Sequence, residues 1–150
     1  MTKIEEMIGI EFESYIFEVE KYKIKELAEA IGDDNEIYFS LEAAKKEGYE
    51  GIPIPPTYLT VVEYWGGENI LDKLKDFNLN PVKILHGEQE YEFIKDIYAG
   101  DILRVTSMVS DAVVKHGSTG GMDLITIEKH YVNQNDELVA QSRGVLVHRH

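Results

Sequence analysis

The chain has 150 residues, of which 43% are hydrophobic, and a formal net charge of −13; its length and composition predict one domain over residues 1–150. The negative charge disfavours nucleic acid and anionic membranes as partners, because their phosphates would be repelled. The absence of cysteine excludes disulfides and thiolate chemistry, and without a long apolar run or a signal peptide we expect a cytoplasmic protein.

The N-terminal part of the chain predicts one strand and two short helices. Residues 11–20 alternate with the period of two that indicates a strand. Residues 24–31 carry apolar side chains at positions i, i+3, i+4 and i+7, which predicts an amphipathic helix that ends at Gly32. Ser40 and Gly48 are the N-cap and the stop signal of a second helix.

A proline-rich segment and a strongly apolar helix follow. The prolines within residues 51–56 exclude a helix or a central strand there. Residues 57–65 are apolar or aromatic on nearly every side, which predicts a long central helix buried all round. Gly66 and Gly67 end this helix, and residues 68–77 indicate a more polar helical segment.

The C-terminal half changes to a period of two. Residues 84–93, 102–114, 123–132 and 138–148 predict four strands that short turns join into an antiparallel meander. A buried helix followed by a run of strands predicts an α+β fold, in which an antiparallel sheet wraps around the helix. Such a layer leaves an edge strand and an open face, so we expect it to pair with a second subunit.

The most informative segment is 31–39, Ile-Gly-Asp-Asp-Asn-Glu-Ile-Tyr-Phe. It resembles the hydratase signature Gly-Asp-x-Asn-Pro-aliphatic-His of the MaoC-like hot-dog family. Four positions match this signature: Gly32, Asp33, Asn35 and Ile37. Glu36 stands in place of the proline, and Tyr38 stands in place of the catalytic histidine.

Other motifs resemble one branch of that family, the FAS1-like N-terminal MaoC dehydratase domain, which includes the A-type subunit of (3R)-hydroxyacyl-ACP dehydratases. These motifs follow one another in the family's order along nearly the whole chain: Tyr38-Phe39, Ala43-Ala44, Gly48-Tyr49, Pro55-Pro56-Thr57-Tyr58, residues 86–93, Gly100-Asp101 and residues 137–140. The resemblance implies a hot-dog fold and an acyl thioester as the ligand.

The resemblance also implies a set of catalytic candidates. Hydration of an enoyl thioester needs an Asp/His pair to position water and move a proton. Asp33, Asn35 and Tyr38 occupy the signature, but a tyrosine with an ordinary pKa of about 10 is a poor proton shuttle compared with a histidine at about 6.5. His86 is a weaker candidate, since an ordinary strand histidine is the competing interpretation.

The central helix and its surroundings supply the predicted acyl-binding residues: Pro56, Thr57, Tyr58, Val61, Val62, Trp65 and Gly87. Five cations are candidates to meet a pantetheine-linked phosphate, although each is more simply a surface charge: Lys45, Lys46, Arg104, Arg143 and Arg149. We predict no metal site, because the four C-terminal histidines lack the i, i+4 spacing of helical ligand pairs: His116, His130, His148 and His150.

These observations favour the acyl-thioester-binding subunit of a (3R)-hydroxyacyl-CoA or acyl-carrier-protein dehydratase, degenerate at its histidine and paired with a second hot-dog subunit. The alternatives are a stand-alone homodimeric hydratase or acyl-CoA thioesterase, and a non-catalytic acyl-CoA-binding module. No cofactor beyond the thioester substrate is expected. The sequence leaves open the acyl chain length, the carrier, and whether the oligomer is homomeric or heteromeric.

Overall fold

The computed structural model describes residues 3–67 and 69–150 of the chain. In this part of the chain five strands form one antiparallel sheet: β1 (Tyr15–Glu18), β2 (Ile84–Phe93), β3 (Ile102–Gly117), β4 (Gly120–Val132) and β5 (Leu138–Arg149). The α-helices are α1 (Lys21–Ala30), α2 (Leu41–Lys46), α3 (Tyr58–Gly66) and α4 (Ile70–Lys73). Short 3₁₀ turns cover Ile4–Met7, Glu36–Tyr38, Lys75–Phe77 and Pro81–Lys83. The α+β class is as predicted.

The order of strands in the sheet is β1-β3-β4-β5-β2. The predicted meander is confirmed for β3, β4 and β5 but is wrong for β2, which pairs with β5 at the far edge of the sheet. The connection after β2 is a crossover and not a hairpin, because its backbone pairs elsewhere. Ile97 O accepts a hydrogen bond from Ile54 N at 3.1 Å, and Gly100 N donates to Val19 O at 2.7 Å.

Helix α3 packs on the sheet through one stripe of its surface. Tyr58, Leu59 and Val62 are fully buried, whereas Tyr64 is 86% and Trp65 is 71% exposed. The prediction of a long helix buried all round is therefore wrong for the single chain: α3 has nine residues, and one sheet covers one side of it. Its outer side offers two aromatic rings to solvent.

The helix signals at the N-terminal end are confirmed. Helix α1 buries Ile24 and Ala28, and the chain turns at Gly32 with a left-handed φ of +71°. Ser40 Oγ caps α2 by accepting a hydrogen bond from Ala43 N at 3.2 Å. The predicted strand over 11–20 is shorter, because regular pairing covers β1 alone and a separate bridge joins Glu11 to Met108.

The predicted helical segment after α3 is broken into shorter pieces. Glu68 lies outside the described residues, α4 covers four residues, and a 3₁₀ turn follows at Lys75–Phe77. The chain then leaves the turn at Asn78 with a left-handed φ of 56°. None of the described helices is long and apolar enough to cross a membrane.

The sheet face under the helices carries two apolar clusters with a polar seam between them. One cluster contains Tyr58 and Tyr131, and the other contains Ile125 and Ile127. On β4, residues two apart share a face, so Lys129 lies between Ile127 and Tyr131. A charged residue therefore interrupts the core directly beneath α3.

Candidate functional site

The signature loop that follows α1 is held together by its own polar side chains. Asp33 Oδ1 accepts a hydrogen bond from Asn35 N at 3.0 Å. Asn35 Oδ1 accepts one from Ile37 N at 3.2 Å and so caps the 3₁₀ turn Glu36–Tyr38. In the single chain both side chains thus stabilise the loop, as Asx turns do.

Tyr38, at the position of the catalytic histidine, lies mostly buried at the end of this loop, with 8% of its surface exposed. Burial raises its pKa above the ordinary value of 10.0, and the neighbouring Asp33 carboxylate and Tyr49 raise it further. The phenol therefore stays protonated at neutral pH. It can donate a hydrogen bond, but it cannot accept the proton that a hydratase removes from water.

Tyr38 lines a cavity of about 450 Å³ at the foot of α1. The other lining residues come from α1, the start of α2, the proline-rich segment and the crossover: Lys21, Tyr22, Lys25, Phe39, Leu41, Gly51, Ile52 and Ala99. Two cations thus stand beside aromatic and apolar walls. This combination suits a ligand with an apolar arm and a phosphate.

The two lysines of this cavity, Lys21 and Lys25, were not among the predicted site residues. Their signal was available, because Lys21 and Lys25 are four residues apart and share one face of α1. Lys25 also lies 3.9 Å from the exposed Glu29 carboxylate. Among the cations that we considered instead, Arg104 pairs with Asp136 and Arg143 pairs with Glu88. None of the five lines the cavity of Tyr38.

The amino end of α3 is open to solvent. Pro56 and Thr57 are exposed, and Thr57 makes no side-chain cap. Tyr58 and Val62 lie fully inside the core; burial raises the pKa of Tyr58 to about 12. The structure therefore separates these predicted acyl-binding residues into an exposed pair just before α3 and a buried pair within it.

The remaining predicted acyl-binding residues, Val61, Trp65 and Gly87, lie in different surroundings. Val61 is half-buried, and the exposed Trp65 ring lies 5.1 Å from Lys23 Nζ in a cation–π contact. Gly87 occupies a β-bulge between His86 and Glu88, where a Cβ atom would come within 2.7 Å of Val147 Cγ2. Packing at the bulge is by itself a sufficient reason for a glycine at position 87.

His86 is exposed on β2, with Nε2 at 3.1 Å from Gln89 Oε1. It lines a second cavity of about 120 Å³, together with Glu63, Lys129 and Ser142. Over residues 3–67 and 69–150, no hydrogen bond or ion pair joins His86 to Asp33. The single chain does not bring these two candidates together.

Glu63, which was not among the predicted site residues either, forms a polar network beneath α3. Its Oε1 accepts hydrogen bonds from Tyr131 Oη at 2.5 Å and from Ser142 Oγ at 3.2 Å, and its Oε2 lies 3.3 Å from Lys129 Nζ. The side chains of Glu63 and Lys129 are 16% and 13% exposed. Glu63 is the one charged residue within 57–65, and a charge in such an apolar helix calls for a buried partner.

A third polar cluster lies at the far end of the sheet, where Asp123 of β4 contacts His148 of β5 and His150, which directly follows β5. Burial alone would raise the pKa of Asp123, but hydrogen bonds from His148 and His150 and their charges outweigh it, so the pKa lies below its ordinary 3.8. A carboxylate with a lowered pKa stabilises the fold above its unfolded pKa and loses that contribution as the pH falls.

We expect Asp123→Asn to lower the free energy of unfolding by about 1.5–3 kcal/mol at neutral pH, since charge-assisted hydrogen bonds are lost. The deficit relative to the parent chain should shrink as the pH falls below the ordinary pKa of 3.8 and through the lowered pKa of the folded state. Urea unfolding at several pH values measures the free-energy difference between the variant and the parent chain. Asp34→Asn is the control, because Asp34 is exposed. A deficit that does not change with pH would contradict this assignment.

Comparison with known proteins agrees with the sequence motifs and with the fold. Residues 6–142 match the model of the family described as FAS1-like, dehydratase domain region. A UPF0336 protein of Streptomyces griseus is 34% identical over 134 residues, which cover 89% of this chain and 85% of that protein.

Solved structures resemble the chain over nearly its full length. One is from the crystal structure of the truncated HadBC (3R-hydroxyacyl-ACP dehydratase) complex of Mycobacterium tuberculosis, with 25% identity, a TM-score of 0.77, and coverage of 94% of this chain and 96% of that chain. Another is from the ChsH1-ChsH2 complex of the same organism, with 23% identity, a TM-score of 0.76, and coverage of 92% and 83%. The chain therefore belongs to the FAS1-like dehydratase domain family, and its antiparallel sheet packed against α3 is a hot-dog fold, as the motifs predicted.

Proposed function

We propose that this chain is the acyl-thioester-binding subunit of a (3R)-hydroxyacyl-CoA or acyl-carrier-protein dehydratase, and that a second hot-dog subunit supplies the catalytic Asp/His pair. The state of Tyr38 carries this proposal. It stands at the histidine position of the signature, and burial holds its pKa above 10.0. General base catalysis needs a group whose pKa lies near the working pH, and Tyr38 does not meet that need.

Two observations support a partner subunit. The similar HadBC structure is by its description a complex of a (3R)-hydroxyacyl-ACP dehydratase. In this chain β2 is an edge strand of ten residues, and its outer side has no strand partner among the described residues. A long free edge is normally covered in proteins, and the exposed rings of Tyr64 and Trp65 add apolar surface for the same purpose.

The open amino end of α3 and the cavity of Tyr38 support a thioester ligand. Backbone N–H groups at a helix start can stabilise the oxygen of an enolate-like thioester. Lys21 and Lys25 offer positive charge to a phosphate of coenzyme A or of the carrier-protein arm. The net charge of −13 makes such local cations necessary for any anionic ligand.

Binding of crotonyl-CoA tests this assignment. We expect the ligand to raise the melting temperature of the purified chain, since it binds the folded state. The double variant Lys21→Ala/Lys25→Ala should bind about 5–30-fold more weakly, which equals about 1–2 kcal/mol. Isothermal titration measures the affinities.

Lys45→Ala/Lys46→Ala is the matched control, because these lysines are also an exposed pair on one helix but lie outside the cavity. Equal affinity of both double variants would contradict the assignment of the cavity. Release of free thiol from acyl-CoA by the chain, abolished in Asp33→Asn, would instead favour a thioesterase. Binding without turnover in every assembly would favour a non-catalytic module.

A further inference from the structure

Asp123, His148 and His150 form a three-residue cluster that the dehydratase chemistry does not use. Asp123 and His148 are directly opposite each other in the register of β4 and β5. His150 directly follows β5 and continues its pairing with β4 through a bond from its N–H to Gly121 O. Residues two apart along extended backbone share a face, so His150 lies on the same side as His148. The i, i+4 spacing used to search for helical ligand pairs does not detect this arrangement, because two ligands on one face of a strand are two residues apart.

The three side chains have the chemistry and the separations of a metal site. His148 Nδ1 lies 2.9 Å from Asp123 Oδ2, and His150 Nε2 lies 2.9 Å from Asp123 Oδ1. One donor atom of each residue lies within 4.8 Å of the other two. Ligands bound to Zn²⁺ at about 2.0–2.2 Å in a tetrahedron are roughly 3.4 Å apart. The two contacts of Asp123 are about half an ångström shorter than that separation, so each imidazole would move slightly away from the carboxylate on binding an ion.

The surroundings of the cluster fix the donors and leave a route to them. The side chains of Asp123 and His148 are 10% and 12% exposed, whereas His150 is 41% exposed. His150 N donates to Gly121 O at 3.0 Å, and a Cβ atom on Gly121 would fall on the His150 ring. His150 also lines an open cavity of about 300 Å³. The inner ligands are thus held, and the outer ligand faces solvent.

We propose that Asp123, His148 and His150 bind a first-row transition metal ion, with Zn²⁺ as the best match to two imidazoles and one carboxylate. The fourth position is open to water from the cavity beside His150. The ion would join the end of β5 to β4 through side chains, in addition to their backbone ladder.

Metal binding would remove a hydrogen bond of the Asn80 backbone amide. The Asn80 amide donates to His148 Nε2 at 3.2 Å, so the His148 proton lies on Nδ1 in the metal-free chain. Nδ1 binds a metal only through its lone pair, so the ring proton then lies on Nε2. Nε2 can no longer accept from Asn80, and hydrogen exchange of the Asn80 amide should become faster.

Isothermal titration of the untagged, chelator-treated chain with ZnCl₂ tests the proposal. We expect one saturable site, and we expect His150→Gln to weaken it by more than about 100-fold, in line with the loss of a ligand. His130→Gln is the control, because His130 is exposed on the same strand β4 and lies outside the cluster. Co²⁺ should give the visible absorption of a tetrahedral site in the parent chain and not in His150→Gln.

Two further variants test whether the site depends on its geometry. Asp123→Asn removes a carboxylate ligand, and Gly121→Ala displaces the His150 ring; both should weaken Zn²⁺ binding. His150→Gln keeps the test meaningful if Asp123→Asn fails to fold, because His150 is half-exposed. Absence of saturable Zn²⁺ binding would overturn the proposal. So would equal affinity in the His150→Gln and His130→Gln variants, or an Asn80 amide whose exchange is unchanged by the ion.

Discussion

The purified chain alone is expected to hydrate crotonyl-CoA about 10²–10⁴-fold more slowly than its complex with a hot-dog subunit that carries an intact Asp/His motif, since that range is the usual contribution of general acid–base catalysis. The physical reason is the protonated phenol of Tyr38, whose pKa is raised by burial. Loss of enoyl-thioester absorbance measures the rate for the chain, for the partner and for the reconstituted complex.

The variants of the complex separate the proposed subunit role from the stand-alone alternative. Tyr38→Phe in this chain should leave the rate of the complex within a few-fold, because the phenol moves no proton. Replacing the histidine of the partner's motif should remove most of the rate. If the chain alone is as fast as the complex, or if Tyr38→Phe abolishes turnover, the division of labour between subunits is wrong.

Glu63→Ala is expected to lower the free energy of unfolding by about 3–5 kcal/mol, since removing one member of a buried ion pair leaves the other charge unpaired. Lys129 would lose its carboxylate partner at 3.3 Å. The hydroxyls of Tyr131 and Ser142 would lose their acceptor as well. Urea unfolding monitored by circular dichroism measures the change.

A double-mutant cycle makes this prediction specific. Glu63→Leu/Lys129→Met replaces both charges with apolar groups of similar size and should cost less than either single replacement, because a buried pair is often neutral when exchanged as a unit. The exposed pair of Glu88 and Arg143 is the control; Glu88→Ala should cost about 0–1 kcal/mol. Strictly additive effects at Glu63 and Lys129 would contradict a coupled buried pair.

The polar seam also explains how the space beneath the helices is divided. Glu63 and Lys129 both line the cavity that contains His86 and a smaller one that contains Tyr15. The first is also lined by residues of β5 and β2, and the second by Tyr15 of β1. The ion pair thus separates two small cavities, and the apolar core is not continuous under α3.

Much of the local structure could be predicted, because its causes lie close together in the chain. Ser40 caps α2 through a bond to a residue three positions on. Gly32 and Gly48 end helices with left-handed φ values of +71° and +91°. The family followed from the same kind of evidence, since its motifs are short and ordered.

The position of β2 could not be predicted from such signals. The turn residues Gly100 and Asp101 fit a hairpin as well as a crossover, and the choice depends on contacts with distant segments. The bonds of the crossover to Val19 and Ile54 provide those contacts. Pairing between strands far apart in sequence is decided by packing, which the period of two does not encode.

The sequence by itself determined the class of fold, the helices at the N-terminal end, the family, and the loss of the histidine at Tyr38, since each depends on residue type and short spacing. Only the tertiary structure decided the strand order, the exposed outer side of α3, the lysines beside Tyr38, and the clusters around Glu63 and Asp123. These depend on which side chains meet across strands and helices from distant parts of the chain. Burial and charge pairing are properties of that packed arrangement.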